Sequence, residues 1–555
     1  MRISLCFWLL ALPLFGDVEP AGVAAEARLF LTVPPQEPPL REVSCSRGTV
    51  SSPDWEGDPV KRVRMSDVRF PVNWWRWSDV MVRFVPSANG TVELSLNGPC
   101  SETRPGVLSR QEIYWDRLSA EGAVLKNGGF EEMGKDGVPL GWQSPWHAYP
   151  AAGEWPLEHA VALEGSHCAA SWQNRPLVQR FEVRAGVPVV LHFSARAAQV
   201  PGFVEPRRLG QDTPASRAAA TFHKGVNIGN NWEAPPDGGW RVKHDIGDLD
   251  RIAREGFDHI RVPVAWHFRM REKGGRLTVD PAFFAELDPF LRHALDLHLR
   301  VILNWHHFNE FCKDPSGQRD KFVRGWDVIA RHYASWPPEL MFELLNEPCD
   351  ALDTATVSSC YVPAIAAIRR SNPARILLAS PGRWSSIGEL DTLRLPDNDD
   401  RIIVTVHTYE PFYFSHQQAG WAGLQALRGI VYPGPPPAPV ALPDAMKDNH
   451  GLAGWLEGYN NRPTPDNPCS RRVIEETLDQ AAAWSQAFGR PVHLGEFGSH
   501  AVADPESRSR HAHDIRVAAE ARHIPWTLWD WKAGFRYWDE ASQKPLMWDA
   551  LFGNN

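Results

Sequence analysis

From Thr221 onward the chain alternates short apolar runs of strand character with longer segments of helical period, and it does so eight times. Strands are read near 223–228, 258–264, 300–306, 340–347, 375–380, 402–409, 491–497 and 525–531. Residues 281–299 show the helical period: Phe283, Phe284, Leu287, Phe290, Leu291, Ala294, Leu295 and His298 recur on one face, with Asp280 and Pro281 as cap and first residue. Residues 245–256 repeat it with Ile246, Leu249, Ile252 and Ala253. Eight strands alternating with helices over residues 221–555 fit a closed (β/α)8 TIM barrel. An open doubly wound sheet is the alternative. No Gly-x-Gly-x-x-Gly follows the first strand, so that alternative lacks the dinucleotide fingerprint.

The preceding residues follow another rhythm. Arg2, the apolar run Ile3 to Phe15 and the small residues near Ala25 and Ala27 form a secretory signal pattern over residues 1–25. The run is too short to span a bilayer, and no later apolar run reaches roughly 18 residues. The expectation is a secreted or periplasmic chain with no membrane span, acting as a monomer. Removing Cys6 leaves seven cysteines, Cys45, Cys100, Cys168, Cys312, Cys349, Cys360 and Cys469. An odd number implies at least one unpaired thiol or an intermolecular bond. None is spaced Cys-x-x-Cys, which argues against structural zinc. Residues 28–200 read as an all-β sandwich of short alternating runs such as VMVRF (80–84) and TVELSL (91–96). Residues 201–220 lack apolar periodicity and read as a linker.

In a barrel, reactive groups come from the carboxyl ends of the strands. Those ends carry Arg261, then Asn304-Trp305-His306-His307, Asn346-Glu347-Pro348, His407-Thr408-Tyr409, Gly495-Glu496-Phe497 and Trp529-Asp530-Trp531. No Gly-x-Ser-x-Gly elbow and no His-Glu-x-x-His occur. Two glutamates across a barrel mouth are what glycosidic cleavage requires: one protonates the leaving oxygen, the other attacks the anomeric carbon or activates water. Glu347 and Glu496 are those candidates. Glu343 shares strand parity with Glu347 and should point into the barrel below it, as a structural carboxylate needing a basic or hydroxyl partner. Nothing in the set requires a metal or another cofactor. Between Tyr409 and a helix near Arg471 runs a connection of about sixty residues with a proline-rich arm, 433–443, and Trp421, Trp455 and Tyr459. A loop of that length is read as a partly folded lid over the same face.

The stretch from about Phe222 to the end resembles glycoside hydrolase family 5, the cellulase family. The resemblance rests on KGVNIGNNWEAP (224–235), GFDHIRVPVAW (256–266), VILNWHHF (301–308), MFELLNEP (341–348), VTVHTYEPFYFSHQ (404–417), VHLGEFG (492–498) and PWTLWDWKAGF (525–535), in family order. It implies a retaining mechanism on β-linked glycans, with Glu347 as acid/base and Glu496 as nucleophile. It implies supporting roles for Arg261, His306, Asn346, His407, Tyr409 and Trp529. Trp232, His307, Trp421 and Trp531 are the candidate sugar-binding side chains. Asn304 stands where many members have aspartate, a change of local charge that touches no essential role. The N-terminal region resembles a carbohydrate-binding jelly roll whose second half, 74–118, precedes its first, near 125–196. A circularly permuted sandwich is the simplest reading, and two small β domains are the alternative. Trp74, Trp75, Trp77 and Trp142 are either a sugar platform there or core.

The leading expectation is an endo-acting β-1,4-glucanase whose partner is a plant or microbial β-glucan. β-Mannanase, xyloglucanase and exo-acting β-glucosidase are alternatives within the family. A non-catalytic glycan-binding barrel would need one carboxylate lost, and a structural adhesin would not need the full strand-end set. Net charge is −9, without the concentrated Lys and Arg of a duplex-binding surface, so nucleic acid is not an expected partner. The 25 tryptophans against 9 tyrosines supply broad amphipathic faces of the kind sugar rings stack on, although core packing must account for most of them.

Overall fold

The computed structural model describes residues 25–553 apart from 35–37, 47, 52–63, 99–101, 105–106, 109–111, 135–137, 145–161, 174, 199–205, 236–237 and 465. The signal pattern before Ala25, with Cys6, and Cys100 lie outside the described residues. The chain divides at Glu205/Pro206 into two compact units.

The first unit is all-β. One five-stranded sheet runs Leu177–Val183, Gly90–Asn97, Ala25–Val33, Arg64–Val72, Thr49–Ser51 in spatial order. The other runs Ala169–Ser171, Ile113–Glu121, Val189–Ala197, Ser78–Val85, Arg41–Cys45. Late strands pair with early ones in both sheets, and one core holds Leu29, Phe70, Trp115 and Phe193 together. This is one sandwich rather than two small domains, since alternating inward residues of both sheets share that core. Trp142 lies in it, packed on Phe130, and is no sugar platform.

The second unit is a closed barrel of eight parallel strands: Lys224–Asn227, His259–Val264, Arg300–Trp305, Leu340–Glu343, Leu377–Ala379, Ile402–His407, Val492–Phe497 and Trp526–Leu528. Closure comes from the first strand pairing with the eighth, Val226 opposite Leu528. The helix Pro281–Asp296 buries Phe283, Leu287, Phe290, Leu291 and Ala294, as its period requires. The helix Ile246–Glu255 has an Asp245/Asp248 capping box and buries Leu249 and Ile252, whereas Ile246 is exposed. The stretch read as a linker contains a further helix, Pro214–Ala219, capped by the Thr213 hydroxyl. Its Ala215 and Ala219 pack with Phe222, Ile302, Met341, Leu378 and Ile403, so these residues belong to the barrel. Two alanines do this packing, which is why no apolar period marked the helix.

The lower barrel interior is polar. Asp258, His259, Thr527, His493 and Thr405 form a hydrogen-bonded column with links of 2.7, 2.8, 2.7 and 3.2 Å. Gly225 makes room for it, because a Cβ there would sit 2.1 Å from the His259 ring. With these groups satisfied below, the reactive set is left to the carboxyl-end face.

Candidate active site

Arg261 organises the site. It is fully buried on the second strand, and all five of its N–H donors are used. Nε and Nη2 grip Glu343 at 2.7 and 2.6 Å, the second Nη2 donor reaches Asn346 Oδ1 at 2.5 Å, and Nη1 donates to Asn227 Oδ1 at 2.8 Å and Glu496 Oε1 at 2.7 Å. Glu343 is thus held in a two-point carboxylate clamp one layer below the mouth. The fourth strand itself ends at Glu343, so Asn346 and Glu347 sit on the loop beyond it.

Glu496 is the last residue but one of the seventh strand and is buried. Its Oε2 accepts from the Tyr409 hydroxyl at 2.8 Å, with His407 Nδ1 at 3.7 Å. Burial pushes its pKa up, and the Arg261 charge and the Tyr409 hydrogen bond oppose that rise by favouring the charged form. Glu347 is half-buried, and its only close polar partner among the described residues is His407 Nδ1 at 2.8 Å. Burial raises its pKa to about 7, against the pull of Arg261. Burial also lowers His407 to about 4, so at neutral pH its ring is uncharged, and its Nδ1 shares a hydrogen bond with the Glu347 carboxyl. The two glutamates therefore sit in opposed environments: one charge-paired, the other able to keep a proton. Their carboxylate oxygens and the His407 nitrogen lie within 4.8 Å of one another. Three such atoms also make a geometric metal set, but the Arg261 guanidinium donating to Glu496 puts a positive charge against any cation there. Gly495 is required beside this pair, since a Cβ would sit 2.6 Å from Thr405 Oγ1 and 3.0 Å from His407 Nε2.

His306 is buried and stacks flat on Trp529, centroids 5.5 Å apart at 10°. Asn304 Nδ2 lies 3.3 Å from both Glu343 Oε1 and His306 Nδ1. Glu343 can only accept, so the Asn304 amide donates, His306 Nδ1 accepts, and the His306 proton sits on Nε2 (assigned from this network). Asn304 is therefore not idle: an aspartate would reverse the tautomer. Asn346 spends its Oδ1 on Arg261 and keeps its NH2 for the cleft.

Two candidate sugar-binding indoles lie elsewhere. Trp232 is 3% exposed, donates to Glu286 at 3.0 Å and meets Phe290 edge-on. Trp531 is 0% exposed, donates to Asp248 at 3.1 Å and stacks on Tyr537 and Trp538. Both serve the packing between barrel and helices. His307 is exposed, beside Trp240. Trp421 is 55% exposed and leans on His500 and Phe535, the latter in contact with Tyr409. The long connection that carries it is folded. Tyr459 and Trp455 stack as its own core, and Asn460 pairs with both backbone groups of Val440 to fasten the proline-rich arm.

Sequence reasoning passed over Trp240 and Trp384, exposed 43% and 44%. Trp384 follows the fifth strand within three consecutive left-handed residues, Arg383 to Ser385, and its backbone N–H donates to the Pro348 carbonyl at 3.0 Å. Three non-glycine residues in that region cost energy, and the turn presents the indole beside the Glu347 loop. The sequence signal was there: an indole on the loop that follows a barrel strand.

Residues 226–534, more than half of the chain, match the family model described as Cellulase (glycosyl hydrolase family 5). The chain is 26% identical over 307 residues to "Endoglucanase H" of Acetivibrio thermocellus, across 55% of this chain and 29% of that protein. It is 27% identical over 341 residues to "Endoglucanase 3" of Fibrobacter succinogenes, across 58% and 51%. The chain thus spans about half or less of these relatives' length. Among solved structures, Cel5A of Thermotoga maritima in complex with cellobiose aligns with a TM-score of 0.53 at 27% identity, over 61% of this chain and 100% of that one. A further structure of Cel5A holds mannotriose. Barrel, strand-end pattern and family match agree, and the chain belongs to glycosyl hydrolase family 5.

Proposed function

We propose that the protein is an exported endo-acting glycosidase that cleaves β-1,4-glucan with retention of configuration. The observation that carries this is the pair Glu347 and Glu496, close together, the second bonded by Arg261 and Tyr409 and the first, among the described residues, by His407 alone. Glu347 gives its proton to the glycosidic oxygen while Glu496 attacks the anomeric carbon, so the carbon–oxygen bond breaks as a glycosyl ester forms. Glu347, now a carboxylate, takes a proton from water. That water attacks the same carbon, releases Glu496 and restores the β-configuration. The free Asn346 NH2 is positioned for the sugar 2-hydroxyl, a contact that strengthens in the transition state. Trp529, Trp421 and Trp384 offer sugar faces around the mouth. Export is supported by the apolar run Ile3 to Phe15 behind Arg2.

Early hydrolysis of a cello-oligosaccharide followed by proton NMR should show the β-anomer first, and initial α-anomer would defeat the mechanism. A reducing-sugar assay on carboxymethylcellulose, mannan, xyloglucan and lichenan ranks the substrates. The relative with bound mannotriose favours mannan as the second choice.

Activity should fall as pH rises through about 7, because Glu347 then loses the proton it must donate. His407, at about 4, does not titrate in that window. With a dinitrophenyl glycoside, whose leaving group needs no proton, the glycosylation step should lose this basic limb. A limb that persists at the same pH for both substrates would assign it to another group.

Trp421→Ala should weaken use of a long glucan several-fold to about tenfold, since ring stacking is worth about 0.5–1.5 kcal/mol. A short aryl glycoside should respond less. Equal kinetics on both substrates, at unchanged melting temperature, would put Trp421 outside the cleft.

A further inference from the structure

The sulfur atoms of Cys312 and Cys349 lie 2.7 Å apart. Cys312 is buried in the short helix Asn309–Lys313, just beyond the third strand and His306-His307. Cys349 is half-buried and stands two residues after Glu347. The Cys312 sulfur also faces the Glu347 carbonyl at 3.9 Å. A metal does not explain the pair. Among the described residues the one cluster of three or more possible ligands is Glu347, His407 and Glu496, and neither cysteine belongs to it.

We propose that Cys312 and Cys349 are a disulfide site, and that the bond fastens the loop of Glu347 to the loop of the third strand. Both thiols lose a proton and together two electrons, which pass to a disulfide of low molecular weight such as oxidised glutathione. One cysteine sulfur forms a mixed disulfide and releases one thiol, and the other displaces the second thiol. The link closes a segment of chain spanning 37 positions, which includes the fourth strand and Glu347. It constrains the unfolded chain and fixes the acid/base loop from one side. The Trp384 N–H on Pro348 fastens it from the other. Glu347 makes one hydrogen bond where Glu496 makes two, so its position depends more on the loop that carries it.

The full-length enzyme is treated either with oxidised glutathione or with a phosphine reductant, then denatured, alkylated and digested. Oxidised protein should yield one linked pair of peptides holding Cys312 and Cys349, both unalkylated, and reduced protein should yield both alkylated. Alkylation of both in the oxidised sample, or linkage of either to another cysteine, overturns the assignment. This readout needs no substrate, so it stands or falls apart from the proposed glucanase activity. Reduction should lower the melting temperature by roughly 5–10 °C. It should also cut turnover on a long β-glucan roughly tenfold, with a smaller effect on the burst from a dinitrophenyl glycoside, the step that needs no proton from Glu347. Cys312→Ser and Cys349→Ser should each match the reduced enzyme and ignore the reductant. A confirmed bond whose reduction moves neither melting temperature nor turnover would overturn its role as a clamp on the loop.

Discussion

Glu347→Ala lowers kcat/KM on β-glucan by about 10²–10⁴-fold, the usual worth of a positioned general acid, while the fold is retained. Only His407 among the close partners of Glu347 is left unbonded by the change, and burial already keeps that ring neutral. On a dinitrophenyl glycoside the same variant still forms the glycosyl ester, because the leaving group departs as an anion. Hydrolysis of the ester is then slow, so a burst equal to the enzyme concentration should appear, and added azide should restore turnover as a β-glycosyl azide. Glu496→Ala behaves differently. It removes the attacking oxygen, so no burst forms on any leaving group. A Glu347 variant with neither burst nor azide rescue would reverse the two roles or remove Glu347 from the reaction.

The site was legible because barrel geometry sends the ends of distant strands to one face. Arg261, Glu496 and Asn346 are far apart in sequence, yet each was readable as a strand-end polar residue, and the guanidinium joins them. Glu343 was read from strand parity with Glu347, but the strand ends at Glu343, and it is the Arg261 clamp that holds its carboxylate below the mouth. The tryptophans were not legible in this way. Trp529 and Trp531 are separated by one residue after the same strand, yet one faces the mouth and the other the helices. The partner that decides the second, Asp248, is 283 positions away. Trp232 is taken inward by Glu286 for a similar reason, 54 positions along the chain. The helix Pro214–Ala219 shows a different loss. Its Thr-Pro start was a capping signal, but its buried face is two alanines, too small to register as an apolar period.

Arg261→Met should be the most damaging single change in the barrel. It leaves Glu343, 0% exposed, and Glu496 without their common cation. Breaking a buried pair by removing one partner costs about 3–5 kcal/mol, because the remaining charge has neither water nor counter-ion. Glu343 would keep only the Asn304 amide at 3.3 Å, and Glu496 would keep Tyr409 and His407. Arg261→Lys should not rescue the loss, since one ammonium cannot reach four groups in a fixed plane. The pH dependence has a definite sign. Burial already raises the Glu496 pKa, and loss of Arg261 raises it further, so the folded variant holds a proton that the unfolded chain releases above the ordinary carboxylate range. Where the folded state binds more protons, stability falls as pH rises. Urea unfolding should therefore show a smaller deficit near pH 5 than near pH 8. Adding Glu343→Gln to Arg261→Met removes one stranded charge and should recover part of the stability. Activity should stay low, because Glu496 still lacks the cation that keeps it ionised. If Glu343→Gln recovers no stability in that background, the clamp on Glu343 is not what Arg261 contributes to the fold.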